Sequence, residues 1–248
     1  MPLEMHPLEE SELGTAYDLM WEAFKPDIMG VMYPAGFTAA ARTHSLARAL
    51  KAWRKAPDTI RKFKVLDTDL PADDPHGGMV GVSDWHFHPR QRTDAELEAE
   101  SADSPDDDMP PDCNAPFLKA FGAAVDTAKT EQIGGGPYVY LHLLVTHPRH
   151  VRRGVGAMQL RWGFAEAEKL GLPVYLESSP VGRALYAREG FEMKGWLAID
   201  AREFGGEKEL PHALMLRPAK GEADARGVGV QRVKGRAELE VEPMICGL

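Results

Sequence analysis

The stretch from Tyr138 to Leu170 constrains this chain more than any other, because it sets a strand, a basic glycine turn and a helix in immediate succession. From Tyr138 to Thr146 nearly every residue is β-branched, aromatic or aliphatic, which is the composition of a strand covered on both faces. His147-Pro148 ends it. The turn Arg149-His150-Val151-Arg152-Arg153-Gly154-Val155-Gly156 hands over to a helix. In that helix Ala157, Leu160, Phe164 and Ala167 share one side, and Gln159, Glu166 and Lys169 are expected on the other. Gly171 stands as a C′ residue, and Pro173 prevents the helix from resuming.

A strand, a glycine turn and a helix in that order make an anion site, since unpaired amide N–H groups and the helix dipole converge there. Gly154 and Gly156 let a ligand approach the backbone, and Arg149, Arg152 and Arg153 add charge suited to several phosphates. A Walker loop is excluded because no Lys-Ser or Lys-Thr follows. The dinucleotide fingerprint lacks its third glycine, where Gln159 stands. Downstream, Pro173 to Ser178 reads as a second strand, and Ser179-Pro180 as an N-cap with proline at N1 of a short helix. That helix carries Ala184-Leu185-Tyr186, followed by Gly190-Phe191.

These motifs together resemble the GNAT superfamily of acyl-CoA-dependent N-acyltransferases. Its signature is Arg or Gln, two residues, Gly, one residue, then Gly or Ala, and many members end in leucine-tyrosine and, four residues on, glycine-phenylalanine. This chain reads Val151-Arg-Arg-Gly-Val-Gly156; Val151 departs from the pattern and offers a backbone amide without a side-chain hydrogen bond. The resemblance covers roughly a quarter of the chain. It implies an α/β (α+β) GNAT fold: a mixed central sheet of about six or seven strands flanked by helices and splayed at the central parallel strands.

The resemblance also implies roles. Acetyl-CoA would be the co-substrate, held by Leu143, Leu144, Val145, Val151, Arg152, Arg153, Gly154, Val155, Gly156 and Ala157, with Ser178, Ser179 and Tyr186 beside it. Tyr186 would be the general acid toward the sulfur, and the N–H of Leu144 or Val145 would meet the oxyanion. His142 falls where arylalkylamine N-acetyltransferases carry a histidine used for proton removal, and Glu177 is the alternative base. Strand alternation puts Tyr140, His142 and Leu144 on one face and Leu141, Leu143 and Val145 on the other. In the family the region of Pro26 to Pro34 borders the acceptor site, so Met32, Tyr33 and Tyr140 are substrate-binding candidates; packing of that apolar loop over the sheet is the competing reading.

The rest of the chain adds boundaries. Leu3 to His6 reads as an edge strand, and Leu13, Tyr17, Met20 and Phe24 recur at helical spacing. A second helix is expected from Thr38 to about Trp53, strands over Lys62–Thr68 and Gly78–His88, and a helix over Phe117–Lys129. A strand pair is expected over Phe191–Asp200 and Leu210–Arg217. Gly81 marks a bulge or close packing. His86 and His88 share a face with His76 nearby, but no third ligand of suitable spacing accompanies them, so no metal is expected.

From Thr93 to Asp112 there are nine acids, three prolines and no Lys or Arg. Removing those nine from the 38 acids leaves 29, equal to the 29 Lys and Arg, so the net charge of −9 resides there. Residues 92–115 are therefore expected to form an acidic, Pro-rich insertion, disordered or loosely helical, within a catalytic domain over 1–218. Residues 219–248 form a C-terminal extension. Cys113 and Cys246 lie in polar segments and are not expected to pair. There is no apolar run of transmembrane length and no basic-then-apolar leader, which predicts a cytoplasmic protein without membrane contact. The acidity argues against nucleic acid.

Three functions remain open at this point. The first is an acetyl-CoA-dependent N-acetyltransferase in which a primary amine attacks directly within a ternary complex. Its acceptor would be a small amine with an apolar or aromatic body, or a peptide amine. The second is a non-catalytic acyl-CoA-binding module, and the third a different nucleotide-phosphate enzyme using the same turn.

Overall fold

The computed structural model describes residues 2–102, 108–197 and 199–221. Seven strands form one sheet: β1 (Leu3–Pro7), β2 (Ile60–Asp67), β3 (Met79–His88), β4 (Tyr138–Thr146), β5 (Val174–Ser178), β6 (Glu192–Trp196) and β7 (Ala213–Arg217). The helices are α1 (Leu13–Phe24), α2 (Ile28–Met32), α3 (Ala39–Lys55), α4 (Asp94–Ala102), α5 (Ala115–Ile133), α6 (Val155–Leu170) and α7 (Pro180–Arg188). Spatial order in the sheet is β1-β2-β3-β4-β5-β7-β6, antiparallel throughout except for β4 against β5. This is the mixed, helix-flanked sheet expected from the sequence.

Two layers cover the sheet. On one face Leu13, Ala16 and Leu19 of α1, with Leu46, Leu50 and Trp53 of α3, pack on Val82 and Val145. Farther along that face α5 lies against Tyr138, Tyr140 and Tyr175. The opposite face carries Leu160, Phe164 and Ala167 of α6 and Leu185 and Tyr186 of α7, around Trp85, Leu141 and Leu176. Gly163 lets α6 descend onto the fully buried Trp85; a Cβ there would stand 2.1 Å from Cη2 of the indole. Gly81 serves the same purpose beneath Val155, and the β2–β3 register also shifts next to it.

Several details differ from the sequence-based expectation. Gln159 is fully buried rather than on the solvent side of α6, and its Nε2 donates to the carbonyls of Val145 (3.3 Å) and Val155 (3.4 Å). Helical spacing cannot reveal this, because the strand carbonyl it satisfies comes from another element. The loop over 26–34 contains the short helix α2, and its Met29, with Tyr33 just after the helix, is buried against α1 and α3. The last strand pair is shorter than expected, with a 3₁₀ turn over Ala201–Phe204 in its connection. Within the acidic stretch α4 occupies Asp94–Ala102. Farther on, Asp108 pairs with His44 (2.8 Å), and Asp112 accepts from the Thr38 hydroxyl (3.0 Å), tying this segment to α3. Cys246 and the residues from 222 onward lie outside the described residues. No described helix is long and apolar enough to cross a membrane.

Candidate active site

The site forms where β4 and β5 part. Their ladder consists of two pairs, Val139 with Val174 and Tyr140 with Tyr175, and beyond these the strands diverge. His147 N–H donates to the Val80 carbonyl (2.9 Å), and the register pairs Val145 with Val82 and Leu144 with Ser83. Because hydrogen-bonded and non-bonded pairs alternate in an antiparallel ladder, the Leu144 N–H turns away from β3 and toward the gap. A Cβ on Gly156 would meet Leu185 Cδ2 at 3.1 Å, Leu144 Cδ2 at 3.8 Å and Thr146 Oγ1 at 3.8 Å. The start of α6, the tyrosine helix α7 and the opened strand β4 therefore converge at one point.

Strand alternation is corrected at His142. The β3–β4 register slips there, Asp84 pairing with Leu143 and Trp85 with Leu141, so His142 is the extra residue of a bulge. His142 and Leu143 both face α1, and Leu144 joins Leu141 on the α6 side instead of sharing a face with His142. The bulge needs a partner strand to exist, which is why β4 read alone gives the wrong face.

His142 lies at the floor of a cavity of about 80 Å³ lined by Leu8, Leu13, Ala16, Tyr17 and Met20 above and by Lys62 and Asp84 below. Its ring is 5.0 Å from that of His86 and 5.6 Å from that of Tyr140. Desolvation by the surrounding protein, then His86, push its pKa well below the ordinary imidazole value even though the residue opens to solvent in the groove, so it is neutral at pH 7. Lys62 and Asp84 form a buried ion pair, and His86 Nε2 lies 3.3 Å from the other oxygen of Asp84. Burial opposes ionisation of Asp84, but the His86 contact and the Lys62 charge outweigh it and hold the carboxyl far below its usual range. Sequence reading missed Lys62, Asp84 and His86 as site residues. The available signal was Asp84 within the largely apolar strand β3; Lys62 had none, because β2 also carries Arg61, Lys64 and Asp67.

Glu177 sits across the opening. Tyr140 Oη donates to Glu177 Oε2 (2.7 Å), and the buried Tyr175 hydroxyl also acts on the Glu177 carboxyl. Desolvation raises the Glu177 pKa despite the Tyr140 hydrogen bond and the charge of Lys129. Tyr186 is buried against Phe191, its ring beside Gly182 and thereby close to Ser178. Burial alone raises its pKa further above 10 and keeps the phenol protonated at neutral pH.

The glycine turn has the backbone geometry that the sequence reading expects of an anion site, but one of its arginines is placed differently. Gly154 caps α6 in the left-handed conformation (φ 89°) and, having no side chain, offers no cap hydrogen bond to the first-turn amides that follow it. Arg152 also has positive φ (61°) and is exposed, as is Val151. The Val155 side chain packs into the core against Val65 and Val80, leaving only its backbone for a ligand. Arg153, however, points back into the protein: its Nη1 lies 2.6 Å from Asp67 Oδ2 and 2.5 Å from His150 Nδ1. It fastens the turn to the end of β2, so Arg149 and Arg152 are the cationic candidates for phosphate.

The Arg153 hydrogen bond lowers the Asp67 pKa. The pair's contribution is therefore present above the ordinary carboxylate pKa and is lost as the pH falls through the lowered value. Asp67 is covered by its neighbours but lies close to the protein surface, which moderates the electrostatics. Asp67→Asn is expected to cost about 1.5–3 kcal/mol. Urea unfolding at pH 7 and pH 3 checks this, and a mutant deficit that does not shrink at the lower pH contradicts it.

The remaining candidates are placed as follows. Ser179 Oγ accepts from Gly182 N–H (3.4 Å) and so serves as the α7 cap, while Ser178 Oγ donates to the Ser179 carbonyl (2.8 Å). Tyr33 is buried, with its hydroxyl 3.2 Å from Ser45 Oγ and its ring edge-on to Phe37. Met32 packs in the same region, and this cluster stands behind Met20 instead of lining the cavity. His76 is not beside His86; it lies against His147 and Glu22.

No protein-family model matches the chain. Over 71 residues it is 46% identical to "Probable acyltransferase SID5" of Ajellomyces capsulatus, a match covering 27% of this chain and 52% of that protein. The chain thus spans about half the length of the curated relative it matches. Among solved structures it is similar to a histone acetyltransferase HPA2 and related acetyltransferase of Corynebacterium glutamicum, with a TM-score of 0.55 and 20% identity over 88% of this chain and 97% of the other. It is also similar to the mosquito arylalkylamine N-acetyltransferase like 5b, with a TM-score of 0.57 and 15% identity over 87% and 99%. A third is Naa20 of Chaetomium thermophilum, solved with a bisubstrate analogue, with a TM-score of 0.51 and 12% identity over 92% and 93%.

Proposed function

We propose that this chain, whose fold is that of the GNAT acetyltransferases, transfers an acetyl group from acetyl-CoA to the primary amine of a small molecule by direct attack in a ternary complex. The observation that carries the reading is the convergence of the α6 amides, α7 and the opened edge of β4 around Gly156 and Leu144. The pyrophosphate would lie on the N–H groups of Val155, Gly156 and Ala157, with Arg149 and Arg152 beside it. The pantetheine arm would run along Leu143, Leu144 and Val145 as a short strand in the gap.

The amine nitrogen attacks the thioester carbonyl carbon, and the developing oxyanion meets the Leu144 N–H. Collapse breaks the carbon–sulfur bond, and Tyr186 supplies a proton to the departing thiolate. The attacking nitrogen must lose a proton. His142 faces the acceptor cavity, and Tyr140 links that end of the site to Glu177. The base role goes to Glu177, whose proton affinity desolvation raises and which Tyr140 links to the acceptor end, and His142, exposed in the groove, orients the amine. The apolar wall of Leu8, Leu13, Ala16, Tyr17 and Met20, shaped from behind by the Met32 and Tyr33 cluster, supports an acceptor with a small apolar or aromatic body.

Because the Glu177 pKa is raised, the rise of kcat/KM with pH should begin above the ordinary carboxylate range. Glu177→Gln is expected to remove that limb and lower kcat about tenfold at pH 7, since water in the open groove can take over part of the role. An unchanged profile would transfer the base role to His142.

Thiol release from acetyl-CoA across arylalkylamines, polyamines, amino acids and lysine peptides tests the activity. The exposed Val151 and the inward-turned Arg153 leave the phosphate site with fewer side-chain partners, which is the observation favouring a non-catalytic acyl-CoA-binding module. Saturable acetyl-CoA binding with no turnover across the panel would favour that second reading.

A further inference from the structure

Away from the acyl-transfer groups, three side chains from three separate elements meet beside the entrance to the glycine turn. Glu22 comes from α1, His76 from the β2–β3 connection and His147 from the residue after β4. Their donor atoms all lie within 4.8 Å of one another. Glu22 Oε2 is 3.0 Å from His147 Nε2, and Glu22 Oε1 is 3.5 Å from His76 Nε2. Ligands of a tetrahedral zinc ion, at about 2.0–2.2 Å, stand roughly 3.3–3.5 Å apart. The 3.5 Å separation already suits one ion, and the 3.0 Å contact, made by the other carboxylate oxygen, is a hydrogen bond that widens by a few tenths of an ångström when a cation replaces its proton. Both imidazoles are buried and the carboxylate is open to solvent, which leaves an entry path and a free coordination position. The β2–β3 connection is fixed in advance, with Asp74 Oδ2 accepting from the N–H groups of His76 (3.0 Å) and Gly78 (2.9 Å). Two imidazoles and one carboxylate select zinc-like cations over magnesium or calcium, which prefer oxygen alone.

His147 also has a second duty. Its Nδ1 accepts the Arg149 N–H (3.1 Å) and so caps the 3₁₀ turn over Pro148–His150, which runs directly into Val151–Gly156. With Nδ1 accepting, the proton of the neutral ring is on Nε2, where it donates to Glu22. A cation on Nε2 needs that position free, and the proton relocates to Nδ1, where it faces another N–H.

We propose that Glu22, His76 and His147 form a site for a divalent cation of the zinc type, and that filling it uncaps the turn leading into the glycine loop and weakens ligand binding there. The site itself does not depend on the acetyltransferase reading; the coupling rests on it.

Calorimetric titration of the untagged 248-residue chain with zinc chloride tests the site. One saturable site is expected, with magnesium giving no heat. His76→Ala and, separately, Glu22→Gln should each weaken zinc at least about tenfold, with circular dichroism confirming that the variants fold. Absence of saturable zinc binding, or binding that survives both substitutions, overturns the site. For the coupling, the Kd of acetyl-CoA should rise about fivefold at saturating zinc relative to EDTA in the native chain, and stay unchanged in His76→Ala. Equal Kd values with and without zinc overturn the coupling. Acetyl-CoA failing to bind in EDTA would instead overturn the acetyltransferase reading and leave the zinc titration standing.

Discussion

Tyr186→Phe is expected to lower kcat by roughly 10²–10³-fold while leaving the acetyl-CoA Kd within about twofold, because the substitution removes one proton donor and almost no packing. The phenol is fit for this role because burial holds its proton far above neutral pH. Its ring packs against Phe191 and Gly182, contacts that phenylalanine preserves. The loss should therefore appear in kcat and kcat/KM together, the mark of an interaction made only in the transition state. Single-turnover kinetics with a good acceptor separates chemistry from product release. An unchanged chemical rate would remove Tyr186 from the mechanism and assign the thiolate's proton to water.

The second large effect concerns folding. Gly163→Ala is expected to destabilise the protein by about 3 kcal/mol, although alanine is the better helix former by about 1 kcal/mol. The new Cβ would stand 2.1, 2.3 and 2.5 Å from three carbons of the Trp85 ring. That ring is fully buried and lies edge-on to Trp162, so it has no free direction in which to move. The melting temperature should fall by roughly 10 °C for a chain of this size. Trp85→Leu is itself a cavity mutation, yet combined with Gly163→Ala it should cost less than the sum of the two single changes. Additive losses in that double-mutant cycle would show that the two sites do not collide.

The two expectations differ in how they could be reached. The role proposed for Tyr186 rests on the resemblance, whereas the helix that carries it was legible from local order, a capped, proline-started helix after a strand. The glycine turn was legible for the same reason. Gly154 must adopt a left-handed conformation, and the amides that follow it are unpaired at the start of any such helix. Gly163 had no such signature, since its need for a missing side chain is created by an indole arriving from β3.

The sequence by itself determined the strand, turn and helix from Tyr138 to Leu170 and most of the strands and helices that flank them. Periodicity, caps and glycine conformations act over a few residues, and those residues are adjacent in the chain. Tertiary structure decided what each group faces. The bulge that turns His142 and Leu143 to one side exists only against β3, and Arg153 became a structural tie because Asp67 waits for it at the end of β2. Lys62, Asp84 and His86 come together because neighbouring strands set them side by side, as α1, the β2–β3 connection and the end of β4 do for Glu22, His76 and His147. Interactions between distant segments depend on register and on which side chain a buried charge must pair with, and neither is written in local spacing.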